Sequence, residues 1–216
     1  MPGLKHQEIT SAWNLLLEHG ENTDSSRRPD FCVDNLIEQV AGLARNLEAS
    51  LSLLSSFREA CETARSFSPS ATRPVYSREL QDNRNETLSL LGIHPESRIP
   101  VHDHPGMLTL LYVIEGRIHA PRYDLTGCHE GNGFVELVRH SGEILESGDA
   151  AVILPYTGNL HSLQALDRNA VCLTLHLHLR QDREPRSWYF PLASKHCGNS
   201  SVLWYRKQDK EICNGI

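Results

Sequence analysis

Pro100-Val101-His102-Asp103-His104-Pro105-Gly106 places two histidines one residue apart. On an extended strand, side chains at i and i+2 share a face. The spacing therefore predicts two imidazoles, from His102 and His104, aimed at one point. Neutral imidazole is the commonest protein ligand for a mid-series transition metal. A third donor must come from elsewhere, and the best one lies downstream in Pro155-Tyr156-Thr157-Gly158-Asn159-Leu160-His161. A His-x-His pair by itself is usually no metal site. A second histidine-bearing stretch downstream gives the first its weight.

Outward from this pair the chain reads as strands. From about Arg73 the periodicity changes from 3.6 to 2, and runs appear at Thr87 to Ile93, Thr109 to Ile114, Arg117 to Tyr123, Phe134 to Arg139, Ala151 to Leu154 and Val171 to Leu179. Turn signals part them: His94-Pro95-Glu96-Ser97, Glu115-Gly116, Gly131-Asn132-Gly133 and Ser147-Gly148-Asp149. Many short strands with Gly-rich turns predict a sandwich or barrel. In the last run, Val171, Leu173, Leu175, Leu177 and Leu179 alternate with Cys172, Thr174, His176, His178 and Arg180. The aliphatic face suits packing against a second layer. The polar face reads either as solvent-exposed or as lining a barrel interior, and the histidine pair favours the interior.

Residues 1 to about 70 carry the helical period instead. Ile9, Ala12, Trp13, Leu16 and Leu17 form one stripe before Gly20; residues 21–30 are polar and read as a loop. Asp30 or Asp34 can cap a second helix, whose stripe runs Val33, Leu36, Ile37, Val40, Leu43, Leu47, Leu51 and Leu54. A further helical piece spans Ser56 to Arg65. These helices are expected to pack on one face of the barrel. At the other end, Ser187 to Leu192 reads as an edge strand or lid, Val202 to Tyr205 as a last strand, and residues 207–216 as a loose tail.

Composition narrows the function classes. At 216 residues, 39% hydrophobic and 22% charged, the chain suits one domain with a real core. A net charge of −6 gives no reason to expect a nucleic-acid or anionic-membrane partner. No apolar run is long enough to span a bilayer, and the polar start, Met1 to His6, lacks a signal-peptide core, so a cytoplasmic protein is expected. Six cysteines without a Cys-x-x-Cys pair are expected to be reduced thiols. Twelve histidines, weighted to the second half, agree with metal chemistry. Cys128-His129 and His196-Cys197 read as loop residues and not as a second metal site, because neighbours in sequence rarely ligate one ion. Asp103 is expected to face away from the metal, capping a turn or pairing with an arginine.

Taken together, His102-x-His104, Thr109 and Gly116 resemble the first motif of the cupin superfamily. Gly148, Pro155, Gly158 and His161 resemble the second, with one residue extra between Gly148 and Pro155. Thr109 stands at the first motif's carboxylate position, which leaves the three-histidine ligand set of the thiol dioxygenase branch. His102 to Met107 and Gly158 to Ser162 resemble stretches of cysteamine dioxygenases and plant cysteine oxidases. Thr174-Leu175-His176-Leu177-His178 is similar to the Ser-Leu-His-Leu-Tyr stretch of cysteine dioxygenase, and Tyr76-Ser77-Arg78-Glu79-Leu80 resembles that family's Tyr-x-Arg-x-Leu. The resemblance covers roughly residues 73–190.

The resemblance implies a mainly β protein: a cupin-type double-stranded β-helix (jelly-roll) barrel over residues 71–216, with a helical extension over 1–70. It implies Fe(II) held by His102, His104 and His161. It implies substrate-binding roles for Tyr76, Arg78 and Thr109, with Arg78 on a substrate carboxylate, and catalytic roles for Thr174, His176 and His178. Arg98, Arg180 and Arg186 are alternatives to Arg78. The activity implied is addition of dioxygen to the sulfur of a small, cysteine-like thiol, by a monomer or small homo-oligomer. Two departures stand out. Animal cysteine dioxygenase has Cys at the place of Thr109 and Tyr at that of His178, so its thioether crosslink cannot form here, and free L-cysteine need not be the substrate. A cupin metalloenzyme acting on a non-thiol molecule, or a non-catalytic metal- or ligand-binding cupin, are the competing readings. No basic patch or DNA-binding helix pair suggests a transcription factor.

Overall fold

The computed structural model describes residues 42, 44–71, 73–82, 86–129, 134–153, 159–178, 186–191 and 202–208. Residues 44–51 are helical, followed by helix α1 (Ser55–Arg65). Eleven strands follow among the described residues: β1 (Tyr76–Asp82), β2 (Glu86–Ile93), β3 (Arg98–His102), β4 (Met107–Glu115), β5 (Arg117–His129), β6 (Phe134–Glu146), β7 (Ala150–Ile153), β8 (Leu160–Ala165), β9 (Ala170–His178), β10 (Trp188–Pro191) and β11 (Val202–Gln208). All pairings are antiparallel. One sheet has the order β1-β2-β9-β4-β7; the other, β10-β11-β6-β5-β8-β3, closes as β3 pairs back to β10. This is the double-stranded β-helix of the cupins.

Several boundaries differ from the sequence reading. β5 and β6 form one long hairpin, from Arg117 opposite Glu146 to His129 opposite Phe134. The backbone of Cys128 and His129 therefore lies in a strand, not a loop. β10 is neither an edge nor a lid, because it pairs with β11 on one side and β3 on the other. Lys207 and Gln208 belong to β11 and not to a loose tail. β1 and β8 were not expected as separate strands. They run 7 and 6 residues, and β1 is interrupted by a bulge, which blurs a period of 2. The stripes at residues 9–17 and 33–40, the loop over 21–30, Leu43, Pro155, Gly158, Leu179, Arg180, Cys32, Cys197, Cys213 and residues 209–216 lie outside the described residues.

α1 packs on the first sheet. Phe57, Ala60, Cys61 and Ala64 are buried against Tyr76, Leu88, Leu90 and Leu173. The approach is close at Gly92, where an added Cβ would meet the Cα and carbonyl oxygen of Ala64 at 2.9 Å. The Asn169 side chain caps the helix end, its amide donating to the carbonyls of Arg65 (2.8 Å) and Phe67 (2.7 Å). The Tyr112 hydroxyl donates to Glu48 at 2.8 Å, tying the preceding helical residues to the same sheet. Among the described residues, no helix is long and apolar enough to cross a membrane.

The opposite face of that sheet meets the second sheet. Ile93, Leu111, Val113, Ala151 and Cys172 pack there against Ile118, Ala120, Leu145, Leu163 and Trp188. β9 divides as its alternation requires. Val171, Leu173 and Leu175 join the helix-side cluster, while Cys172 faces the interior. Burial pushes the Cys172 thiol up to about 12, which keeps it protonated and inert. Further along the same interior face, apolar residues give way to polar ones, and the site begins.

A candidate metal centre of three buried histidines

Two cross-strand rows face each other at this end of the barrel. On the second sheet, Trp188 (β10) lies opposite His102 (β3), which lies opposite His161 (β8). A register irregularity between Ile99 and His102 precedes the pair, the kind of bulge that re-aims a side chain beside a site. His161 is two residues before Leu163, an interior residue, and so shares its face. On the first sheet the row runs Asp82 (β1), Thr87 (β2), His176 (β9), Thr109 (β4) and Ile153 (β7), each opposite the next.

His102 ends β3, and His104 lies beyond it, in the turn that leads to β4. The expectation of two imidazoles on one extended strand is therefore corrected. The turn, with Gly106 at φ 65° and the Met107 N–H donating to the His104 carbonyl at 3.1 Å, delivers the second ring. One ligand atom from each of His102, His104 and His161 lies within 4.8 Å of the others, and all three residues are buried. Their ring centroids are 4.3 to 5.0 Å apart.

The surroundings prepare two of the three rings as ligands. His102 Nδ1 lies 2.9 Å from the Pro100 carbonyl, and His161 Nδ1 lies 3.1 Å from the Asn159 carbonyl. A carbonyl only accepts, so both Nδ1 atoms carry the proton and both Nε2 atoms keep a lone pair. Burial holds all three imidazoles neutral, with His161 lowered to about 4 and the other two well below their ordinary value. His104 differs: an N–H of Arg186 lies 3.2 Å from its Nδ1. Guanidinium only donates, so a metal on Nε2 of His104 has to displace a proton there or turn the guanidinium aside. The His104 backbone N–H donates to the Asn159 side-chain oxygen at 2.9 Å, joining the two motif stretches directly. The Trp188 ring stacks on His102 at 5.0 Å.

The residues around the triad divide clearly. The His176 ring stacks on His104 at 4.5 Å, and its Nδ1 is 2.9 Å from the Thr109 hydroxyl. Thr109 thus reaches the imidazole of His176. Thr174 is buried one alternation earlier on the same face of β9. His178 stands one alternation further, its Nε2 at 3.1 Å from the Thr87 hydroxyl, which donates to Asp82 at 2.7 Å. Asp103 faces away as expected, but its partners are the Ser187 N–H (2.7 Å) and the Tyr189 hydroxyl (3.1 Å), not an arginine. Burial raises the Asp103 carboxyl, against the pull of these two donors.

Tyr76 and Arg78 are not brought to the triad. Tyr76 packs in the helix-side cluster beside Phe67. Arg78 lies opposite Leu90, a residue of that cluster, and is exposed. Cross-strand partners share a face, so its guanidinium starts from the wrong side of the sheet. Arg98 is spent on the Tyr123 and Ser162 hydroxyls. Among the described residues two arginines stand at the site: Arg122 lies opposite His161 and pairs with Glu143 at 3.3 Å, and Arg186 reaches His104. Arg186 is two residues before the interior Trp188 and lies over that ring at 5.8 Å. Asn159, Trp188 and Thr87 were missed by sequence reasoning. Only Asn159 had a signal, its place inside the second motif stretch.

Comparison with known proteins agrees with this geometry. The family model PCO_ADO matches residues 37–177. A Dictyostelium discoideum protein named probable 2-aminoethanethiol dioxygenase is 30% identical over 135 residues, 57% of this chain and 62% of that protein, so the match spans under two thirds of the relative. Among solved structures, KdgF from Halomonas sp. gives a TM-score of 0.38 at 17% identity, covering 52% of this chain and 88% of that one. The polyketide cyclase RemF from Streptomyces resistomycificus gives 0.38 at 18% identity, covering 56% and 74%. Likeness at that level carries no argument. The family model spans well over half of the chain and includes all three clustered histidines, and the chain belongs to the PCO_ADO family of cupin thiol dioxygenases.

Proposed function

We propose that His102, His104 and His161 hold one Fe(II) and that the protein adds both atoms of dioxygen to the sulfur of a small thiol, giving a sulfinic acid. The observation that carries this reading is the group of three buried, neutral imidazoles within 4.8 Å, with a threonine and no carboxylate at the fourth motif position. When bound, Fe(II) supplies a Lewis acid that favours the thiolate and unites it with dioxygen. The chain's own residues do the rest. The Pro100 and Asn159 carbonyls orient two of the ligand rings, and Trp188 braces His102. Thr109 fixes the rotation of His176, which lies against His104 and acts on the reacting groups with Thr174 and His178. The apolar plug of Leu111, Leu163 and Cys172 keeps water from the barrel side. Arg186, in place of Arg78, meets an anionic group on the substrate; its planar fork suits a carboxylate. We place the protein in the cytoplasm, where buried free thiols such as Cys61 and Cys172 persist.

The test is oxygen uptake by the Fe(II)-loaded protein over a panel that includes cysteine, cysteamine and 3-mercaptopropionate, with sulfinate identified by mass spectrometry. One oxygen consumed per sulfinate, abolished together with iron binding in His161→Ala while the fold is kept, is expected. Stoichiometric metal without uptake on any thiol would turn the reading toward a non-thiol cupin enzyme or a binding module.

A further inference from the structure

Turning a thiol into a sulfinate at neutral pH releases one proton: RSH + O2 gives RSO2− + H+. That proton arises in a buried place. His102, His104, His161 and His176 are each at most 9% exposed, so the proton needs a route from these rings to water. One chain of hydrogen bonds runs from the interior face toward solvent, and nothing in the family's ligand set accounts for it. His178 is half-buried, one alternation beyond His176 on β9. Its Nε2 is 3.1 Å from Thr87 Oγ1, and Thr87 Oγ1 is 2.7 Å from Asp82 Oδ1, on an exposed residue at the end of β1.

Donor and acceptor chemistry sets the direction. A carboxylate only accepts, so the single Thr87 proton goes to Asp82. The Thr87 oxygen must then accept, and His178 Nε2 must be the N–H that donates. The sheet builds this by register, since Asp82 lies opposite Thr87 and Thr87 lies opposite His176. The three polar groups are therefore on the interior face by the same alternation that puts Leu88 and Leu90 on the helix side.

We propose that Asp82, Thr87 and His178 form the path by which the reaction's proton leaves the site. This rests on the thiol dioxygenase reading. A proton taken up at His178 Nδ1 is matched by release of the Nε2 proton to Thr87. The Thr87 hydroxyl proton passes in turn to Asp82, which returns it to water. No electron moves, and each group ends with the proton count it began with once His178 reverts to its starting tautomer. Thr87 and Asp82 are positioning residues; of the three, His178 is the one that follows His176 on the interior face of β9.

The test follows proton release with a pH indicator, alongside oxygen uptake, in Fe(II)-loaded wild type, Thr87→Val, Thr87→Ser, Asp82→Asn and His178→Ala. Thr87→Val and Asp82→Asn are expected to slow turnover about tenfold or more, a typical loss for a positioned proton carrier. Thr87→Ser restores the rate, and added imidazole rescues His178→Ala. Nitrogen-15 NMR of the metal-free protein gives a second readout: His178 holds its proton on Nε2 in wild type and loses that preference in Thr87→Val. Wild-type turnover with Thr87→Val equally fast, or an Nδ1-protonated His178 in wild type, would overturn the path. If wild type itself oxidises no thiol, the proposed function fails first, and the path fails with it because no proton is produced.

Discussion

Thr109 is 1% exposed, sits directly opposite His176 across β4 and β9, and has its hydroxyl 2.9 Å from His176 Nδ1. Thr109→Val keeps the shape and removes only that oxygen. The imidazole nitrogen is then buried without its partner, which costs about 1–3 kcal/mol. For a chain of this size each kcal/mol lowers the melting temperature by about 2–4 °C. Thermal and urea denaturation of the metal-free protein would measure it. A double-mutant cycle with His176→Phe separates the pair from the site: once the ring nitrogens are gone, Thr109→Val has nothing left to break. A coupling of about 1 kcal/mol or more is expected. Iron content should hold in Thr109→Val, because neither residue belongs to the triad, while kcat/KM falls as His176 loses its fixed orientation. A coupling energy indistinguishable from zero would refute the reasoning, as would a wild-type kcat/KM in Thr109→Val.

Three further outcomes follow from the same contacts. Gly92→Ala drives a methyl onto the α1 backbone at Ala64, and rigid backbone cannot yield as a side chain does; a loss of about 1–3 kcal/mol in urea denaturation is expected. Asp103→Ala removes the carboxylate that ties the Ser187 N–H and the Tyr189 hydroxyl to the turn after His102; metal affinity measured by titration should fall with stability, whereas unchanged affinity would show that β10 is held by its strand pairing alone. The metal-free protein should weaken in acid. The folded-state value of His161 is depressed, so the unfolded chain binds more protons below its ordinary value and stability falls as pH drops from about 6.5 toward about 4; between about pH 7.5 and about pH 5, His161 alone costs about 2 kcal/mol. Equal denaturation midpoints at the two pH values would contradict the burial argument.

The sequence was legible wherever a local period or a short motif carried the information. The β9 alternation assigned Cys172, Thr174 and His176 to one face and the leucines to the other, and the structure keeps that division. The Asp103 side chain faces away from the triad as expected, but it lies in a turn and its partners are Ser187 and Tyr189, more than eighty residues on. Arg78 shows where local reading stops. A motif likeness put it on the substrate, but a side chain's face is set by register against its neighbour, and opposite Leu90 it falls on the helix side.

By itself, the sequence determined that the protein is mainly β, and its likeness to the cupin motifs pointed to His102, His104 and His161 as one site with Thr109 at the carboxylate position. The first follows from residue type and spacing, which act within a strand or turn; the second needed the motif likeness as well. Only the tertiary structure decided which arginines stand at the triad, that Thr109 reaches His176, and that Asp82, Thr87 and His178 are linked. Each of these depends on strands distant in the chain meeting in a particular register, and a shift of one residue would have sent every such side chain to the opposite face.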